Sequence, residues 1–223
     1  LMAYGITGNW SSIAVIDSEN GSAHLYAHLG EYNVLHLSTY SPEDYIKAID
    51  VCLAAGVELI IIDSISHEWD YVLQEHSKMA GNSYTNWAKL TPRHNAFIQK
   101  ILQSPIHVIA TGRSKQDYVL VEKNGKMVPE KVGMKGIQRD GVDYEFTVLM
   151  EVDIKHYATA TKDRTNLFNH RGPFVITEET GKALIEWANL GTRLDDIESK
   201  VDAATDLDEL RKLYKQYSGF KTD

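Results

Sequence analysis

Short continuous runs of apolar residues recur along the first half of the chain. Runs of this length, rich in Ile and Val, are typical of strands in a sheet that is covered on both faces. The predicted strands are residues 1–4, 13–17, 32–37, 57–62 and 106–110.

Helix signals separate these runs. Ser41-Pro42-Glu43-Asp44 combines a hydroxyl cap, a proline and two acids, so it predicts a helix start, and this helix continues through Ala54 and stops at Gly56. Thr91-Pro92 predicts the start of a further helix that reaches about Gln103. The alternation predicts an α/β fold with a mostly parallel, twisted sheet flanked by helices.

The pattern changes after residue 113. Asn124-Gly125 separates two short apolar stretches and predicts a hairpin turn, and two further strands are predicted at 146–152 and 156–161. We expect these strands to form an antiparallel C-terminal extension of the sheet.

The last part of the chain is predicted to be helical. Thr177 precedes a helix at 178–189, and Asp206 precedes another at 207–217. We therefore predict a core over residues 1–190 and a helical tail or linker over residues 191–223.

Composition narrows the class of protein. The 223 residues carry a net charge of −8, which disfavours overall attraction to nucleic acid, so any such binding must be local. No run of 18 apolar residues occurs, and no membrane partner is predicted. The single cysteine, Cys52, lies in an apolar helical segment and is predicted to be a buried thiol in a reducing compartment.

Acidic residues follow two of the predicted strands. Asp63-Ser64 ends the most apolar run, and Asp17 and Glu19 follow the run at 13–17. Ligands of open α/β sheets bind at this edge, and Mg²⁺ prefers carboxylate and water oxygens. Asp63 is therefore a candidate for holding Mg²⁺ through water. The alternative for Asp63 is that it caps the following loop. The alternative for Asp17 and Glu19 is that one of them faces solvent.

The first residues contain half of a phosphate-loop motif. Gly5-Ile6-Thr7-Gly8 matches the start of G-x-x-x-x-G-K-[ST], but the lysine and the hydroxyl residue do not follow. If residues 1–4 and 13–17 are parallel strands, the connection between them is too short. Either the two strands form an antiparallel hairpin, or a loop and helix are missing between Gly8 and Asn9. We favour the second explanation.

The stretch Ile16-Asp17-Ser18-Glu19-Asn20 resembles the corresponding segment of RecA-like P-loop ATPases, and residues 57–64 resemble their Walker B strand. The resemblance implies that Glu19 activates the attacking water, that Asp63 and Ser64 contact Mg²⁺ and nucleotide, and that residues 5–8 hold phosphates. It implies ATP and Mg²⁺ as cofactors and a cytoplasmic location in a bacterial or phage-infected cell.

Two later segments extend the resemblance. Residues 106–113 are similar to the next core strand of that family, which implies that Thr111 and Arg113 sense the terminal phosphate. Residues 158–166 are similar to an element whose basic pair, here Lys162 and Arg164, reaches into the nucleotide site of a neighbouring subunit. Such trans-acting residues imply a homo-oligomeric ring or filament.

A basic stretch lies between those segments. Residues 113–139 contain seven Lys and Arg residues against three acidic residues. In RecA-like proteins the loops of this region contact single-stranded DNA, and lysine contacts to the backbone give sequence-tolerant binding. The alternative is a solvated hairpin. The candidate DNA-binding residues are Lys123, Lys126, Lys131, Lys135 and Arg139.

The chain as a whole most resembles the short RecA-like ATPases of phages and prophages that are associated with single-strand annealing and recombination. The resemblance implies Mg²⁺-dependent ATP hydrolysis and single-stranded DNA binding in phage-type recombination or replication. Two alternatives stay open. One is a non-catalytic nucleotide-binding scaffold with a degenerate phosphate loop, and the other is a helicase-loader or packaging-type motor.

Overall fold

A computed structural model describes residues 1–123, 126–169, 171–190 and 200–217, with the backbone alone at 116–123, 126–135 and 216–217. The predicted turn at Asn124-Gly125 and the junction at 191–199 lie outside the described residues. The division of the chain at residue 190 therefore stays a prediction.

The core is a four-stranded parallel sheet. Its strands are β1 (Ile13–Asp17), β2 (Asn33–His36), β3 (Leu59–Asp63) and β4 (His107–Ala110), in the spatial order β2-β1-β3-β4. All four strands were predicted to within about two residues. Continuous apolar runs form them because β1 and β3 are buried on both faces. The predicted α/β class is confirmed.

Helices cover the sheet and complete the core. They are α2 (Pro42–Ala54), α3 (Ser66–Lys78) and α4 (Ser83–Leu102). Tyr45, Ile49 and Phe97 are fully buried among the strand residues, and burying each such side chain contributes about 1.5–3 kcal/mol. These contacts fix the helices on the sheet.

The helix boundaries differ from the prediction in one place. The helix α4 begins at Ser83, where Asn82 Oδ1 accepts a hydrogen bond of 2.8 Å from Tyr84 N, and Pro92 lies in its interior. The prediction that Thr91-Pro92 starts the helix is therefore wrong. By contrast, α2 begins as predicted, with Ser41 Oγ accepting from Asp44 N at 3.2 Å.

The predicted strand at residues 1–4 is wrong, because these residues lie in a helix. Helix α1 (Met2–Thr7) crosses α5 (Glu178–Ala188) at two glycines. A Cβ at Gly5 would lie 2.0 Å from Glu178 O, and a Cβ at Gly181 would lie 2.0 Å from Met2 O. The absence of side chains at both positions lets the two backbones approach closely.

The expectation of a missing segment between Gly8 and Asn9 stays a prediction. Gly8 ends α1 in the left-handed conformation, with φ of 66°. Asn9 Oδ1 then accepts a hydrogen bond of 3.1 Å from Ser11 N, which starts a 3-10 turn that leads into β1. Since a helix precedes β1, neither a crossover between parallel strands nor an antiparallel hairpin is needed here.

The C-terminal part of the core contains two antiparallel hairpins. One is formed by β5 (Ser114–Lys123) and β6 (Lys126–Gly136), and the other by β7 (Val148–Val152) and β8 (Ala158–Asp163). Each is a separate two-stranded sheet, so in the described residues they do not extend the central sheet as expected.

The helix α6 (Leu207–Tyr217) has the predicted bounds. Asp206 Oδ1 accepts hydrogen bonds from Asp208 N at 2.9 Å and from Glu209 N at 2.8 Å, as expected of an N-terminal cap. Among the described residues, no helix is both long and apolar enough to cross a membrane.

The crossing of α1 and α5 predicts an effect on stability. Replacement Gly5→Ala should lower the free energy of unfolding by about 1–3 kcal/mol, because its methyl group would overlap backbone atoms that cannot rotate away. Urea unfolding measures this change. Gly172→Ala is the control, since a Cβ there meets no atom within 4 Å. Equal stability of the two variants would contradict the close crossing.

Candidate functional site

The carboxyl ends of β1, β3 and β4 meet at one edge of the sheet. Asp17 lies opposite Asp63 in the register of β1 and β3, and Ile62 lies opposite Ala110 in that of β3 and β4. Parallel pairing therefore brings the residues that follow these three strands to one place.

Asp63 is held in position by the neighbouring strand. Thr111 Oγ1 donates a hydrogen bond of 2.5 Å to Asp63 Oδ1. Among the described residues, no hydrogen bond reaches the second carboxylate oxygen, and the residue is half-buried. A carboxylate in this state suits a hard cation that keeps most of its water ligands.

Glu19 is the second carboxylate of the site, and both of its oxygens have partners. Ser64 Oγ donates to Oε1 at 2.9 Å, and Arg113 Nη2 donates to Oε2 in a close ion pair. Burial alone raises the pKa of Glu19, but the hydrogen bonds from Arg113 and Ser64 and the charges of His67 and Arg113 outweigh it. The net pKa lies below its usual value, so Glu19 is ionised at neutral pH.

A buried hydroxyl fixes the turns that carry the two carboxylates. Ser18 Oγ accepts a hydrogen bond of 2.8 Å from Ser64 N and lies 3.0 Å from Asp63 O. Tyr45 Oη donates to Ser64 O at 2.8 Å from the core side, and the peptide bond between Asp63 and Ser64 is cis. The sequence analysis missed Ser18 and Tyr45 in this role. The position of Ser18 between two acids was the only available signal.

Asp17 is structural. It is 1% exposed, and its carboxylate accepts hydrogen bonds from Glu19 N at 2.7 Å and from Ala23 N at 3.0 Å. The expectation that Asp17 or Glu19 faces solvent is therefore wrong for both residues. Asp17 shapes the turn, and Glu19 faces the site.

Residues 5–8 do not contribute to this edge. Gly5, Ile6 and Thr7 belong to α1, and Gly8 ends that helix before the amino end of β1. The five residues of β1 span about 16 Å, which separates Gly8 from Asp63. A helix C-terminus also carries negative partial charge and repels phosphate. The structure therefore places residues 5–8 at the edge opposite Asp63, and their assignment to a phosphate loop stays a prediction.

A cavity of about 530 Å³ does lie at the opposite, amino edge. Ile6 and Thr7 line it together with Glu58 and His107. Ile6 and Thr7 of the half phosphate-loop motif thus face this cavity, whereas Glu19 and Asp63 lie at the carboxyl edge.

Lys162 and Arg164 lie on and just after β8, and both contact the turn at 142–144. Both side chains donate to Tyr144 O, Arg164 at 2.9 Å, and Lys162 also donates to Asp143 O at 3.2 Å. Desolvation and the neighbouring Arg164 charge lower the pKa of Lys162. The two cations share one partner, a carbonyl of their own chain, and their predicted contact with a phosphate group stays a prediction.

The predicted DNA-binding lysines belong to the β5–β6 hairpin. Their side chains, those of Lys123, Lys126, Lys131 and Lys135, lie outside the described residues. Arg139 follows the hairpin and is half-buried, with Nη1 donating to Asn95 Oδ1 at 3.3 Å. Its guanidinium is thus directed toward α4.

The structure adds residues that the sequence analysis did not connect with the site. His67 Nδ1 lies 3.0 Å from Ser18 Oγ, and its Nε2 lies 3.7 Å from Glu19 Oε1. Gln138 Nε2 donates to Ile65 O at 3.1 Å, just beyond Ser64. Both approach from outside the strand ends, where apolar periodicity gives no signal.

A family model described as AAA domain matches residues 6–175, a span that contains all eight strands and the residues of the carboxyl edge. No curated protein matches the chain.

The ion pair at Glu19 predicts a titration. In Arg113→Gln the pKa of Glu19 should rise toward its ordinary value, because the main charged hydrogen-bond donor is lost. The wild-type pair stabilises the fold above the ordinary glutamate pKa, and this stabilisation disappears as the pH falls through the lowered pKa. Acidification should therefore destabilise the wild type more than the variant.

Carboxyl ¹³C NMR of Glu19 measures the titration, and unfolding at several pH values measures its effect on stability. Lys78→Gln is the control, since Lys78 pairs with Glu75 on α3. An unchanged Glu19 titration in Arg113→Gln would show that the ion pair does not set this pKa.

Proposed function

The chain belongs to the AAA domain family of P-loop ATPases, and on that premise we propose that it hydrolyses ATP with Mg²⁺ at the carboxyl edge of the sheet. One observation carries the proposal. Glu19 and Asp63 follow adjacent parallel strands, and hydroxyl donors from Ser64 and Thr111 hold the two carboxylates at the same edge.

Asp63 is the proposed metal-side residue. Within the described residues, no group of three or more His, Cys, Asp or Glu side chains is arranged to hold a metal by itself. This fits Mg²⁺, which binds proteins through one or two carboxylates and completes its shell with water and substrate phosphates. Asp63 would hold Mg²⁺ through water, and the metal would supply charge neutralisation at the phosphates, while the hydrogen bond from Thr111 orients Asp63.

Glu19 is the proposed residue that positions the attacking water. Its lowered pKa keeps it ionised, and an ionised carboxylate accepts the hydrogen bonds of a water molecule. Positioning of water is a main protein contribution to phosphoryl transfer. Arg113 and Ser64 each bond one oxygen of Glu19, and the remaining lone pairs of both oxygens can accept from a water.

Arg113 is the cation nearest to Glu19, and its side chain is half exposed. A terminal phosphate at this edge would compete with Glu19 for the guanidinium, because Arg binds phosphate oxygens in a bidentate manner. Arg113 would then stabilise the transferring group, and Glu19 Oε2 would lose its charged partner and become a stronger acceptor for water.

The remaining phosphate contacts are proposed to come from outside residues 5–8. Lys162 and Arg164 of a neighbouring copy are candidates, because Arg164 is exposed, Lys162 is half-buried, and both donate to one carbonyl oxygen. This part of the proposal requires a homo-oligomer. Each test therefore uses the whole natural polypeptide, so that the oligomer can form.

Replacement Glu19→Gln tests the catalytic role. We expect ATP turnover to fall by about 10²-fold or more, because an amide is a weaker acceptor and carries no charge toward the water. Binding of ATP should persist, as measured by equilibrium titration. Glu31→Gln is the matched control, since Glu31 is exposed and lies outside the site.

Equal turnover in both variants would remove Glu19 from the mechanism. Background turnover in the wild type would instead favour the non-catalytic scaffold.

We further propose single-stranded DNA as the partner, within phage-type recombination or replication. The support is the excess of Lys and Arg at residues 113–139 in a chain of net charge −8, and the two-stranded hairpin that carries part of it. A loader or packaging-type motor would share the core and differ in the nucleic acid that it binds.

The double replacement Lys131→Ala and Lys135→Ala tests the DNA partner. If both lysines neutralise phosphates, the slope of log K against log[salt] should become less steep by about 1.4 for a single strand. Fluorescence anisotropy with labelled oligothymidylate at several salt concentrations measures the slope. The control is Lys47→Ala with Lys89→Ala, two exposed lysines on α2 and α4. Identical slopes for the two double variants would exclude the hairpin as the DNA contact.

A further inference from the structure

A buried ionisable pair joins α3 and α4 next to the site. Glu68 is 0% and His94 is 1% exposed, and His94 Nδ1 lies 3.0 Å from Glu68 Oε2. His94 Nε2 has no hydrogen-bond partner among the described residues. Burying such a pair costs about as much free energy as the pairing returns. A contribution to stability therefore does not explain why the Glu68–His94 pair is present.

Gln138 connects this pair with the candidate site. Its Nε2 donates to Ile65 O at 3.1 Å, and its side chain lies near Glu68, where burial raises the pKa of the carboxyl and the Gln138 amide acts in the opposite direction. Its Oε1 accepts from Arg139 N at 2.9 Å. One side chain therefore contacts the segment after Ser64, the buried pair and the chain that leaves the hairpin.

The two ends of the β5–β6 hairpin are joined by a hydrogen bond beside Gln138. Arg113 N donates to Ser66 Oγ at 2.9 Å, and Ile137 N donates to Arg113 O at 2.7 Å. Arg139 then contacts Asn95, the neighbour of His94 on α4. The base of the hairpin thus rests on the start of α3 and on α4.

From these contacts we infer that Gln138 is a positioning residue that fixes the base of the hairpin on the buried Glu68–His94 pair and thereby holds Arg113 against Glu19. The catalytic consequence of this role rests on the proposed function. The structural part, the fixed hairpin base, does not.

The arrangement links the hairpin with the catalytic carboxylate. Arg113 contributes its backbone to the hairpin base and its guanidinium to Glu19. A displacement of the hairpin by a phosphodiester chain would therefore move the residue that occupies Glu19 Oε2. Gln138 and the buried pair provide the rigid support against which that displacement acts.

The replacement Gln138→Met tests the inference, because Met has nearly the same length and cannot donate or accept these hydrogen bonds. Amide hydrogen exchange of Arg113 and Ile137 should become about tenfold faster, since both amides are protected at the hairpin base. ATP turnover should fall about tenfold in kcat while KM changes less than about twofold, because Gln138 orients groups without touching substrate. Gln103→Met, at the cap that follows α4, is the control.

A second variant distinguishes the loss of this contact from a general destabilisation of the fold. Ser66→Ala removes the acceptor of Arg113 N and should accelerate exchange at the same two amides. In the double variant the two effects should be clearly less than additive, because both act on one contact.

Wild-type exchange and wild-type kcat in Gln138→Met would overturn the inference, and so would fully additive effects with Ser66→Ala. If the wild type shows no ATP turnover, the proposed function fails, whereas the exchange measurements still decide whether Gln138 fixes the hairpin base.

Discussion

The pairing of β1 with β3 is the constraint on which the site depends. Its register places Asp17 opposite Asp63, and Ser18 then bonds across to Asp63 and Ser64. The apolar residues of both strands are buried on both faces, so a shift by one residue would disrupt their packing against the helices and is strongly disfavoured. The same burial that stabilises the sheet therefore sets the separation of the two turns that carry Glu19 and Asp63.

The parts predicted from sequence are those that depend on local pattern. Continuous apolar runs predicted the parallel strands, and acids at their ends predicted which side chains share an edge. The failures involve contacts distant in sequence. Gly5 resembled a loop glycine, but it serves the crossing with Gly181, and Pro92 resembled a helix start although Asn82 supplies the cap. No local signal distinguishes these cases.

The supporting contacts of the site could not be predicted for a similar reason. Ser18, Tyr45 and Gln138 act through hydrogen bonds to backbone atoms of other elements. Such bonds depend on where the turns meet, and residue type alone does not reveal them. The structure differs most from the sequence-based prediction at Glu19, because the carboxylate forms an ion pair with Arg113 at the base of a basic hairpin.

A structure of the whole polypeptide with Mg²⁺ and a non-hydrolysable ATP analogue tests the central claim most directly. The account predicts the metal at the carboxyl edge, joined to Asp63 through water, with the terminal phosphate near Arg113 and Glu19. A nucleotide bound instead at the amino edge, in the cavity lined by Thr7, Glu58 and His107, would contradict it.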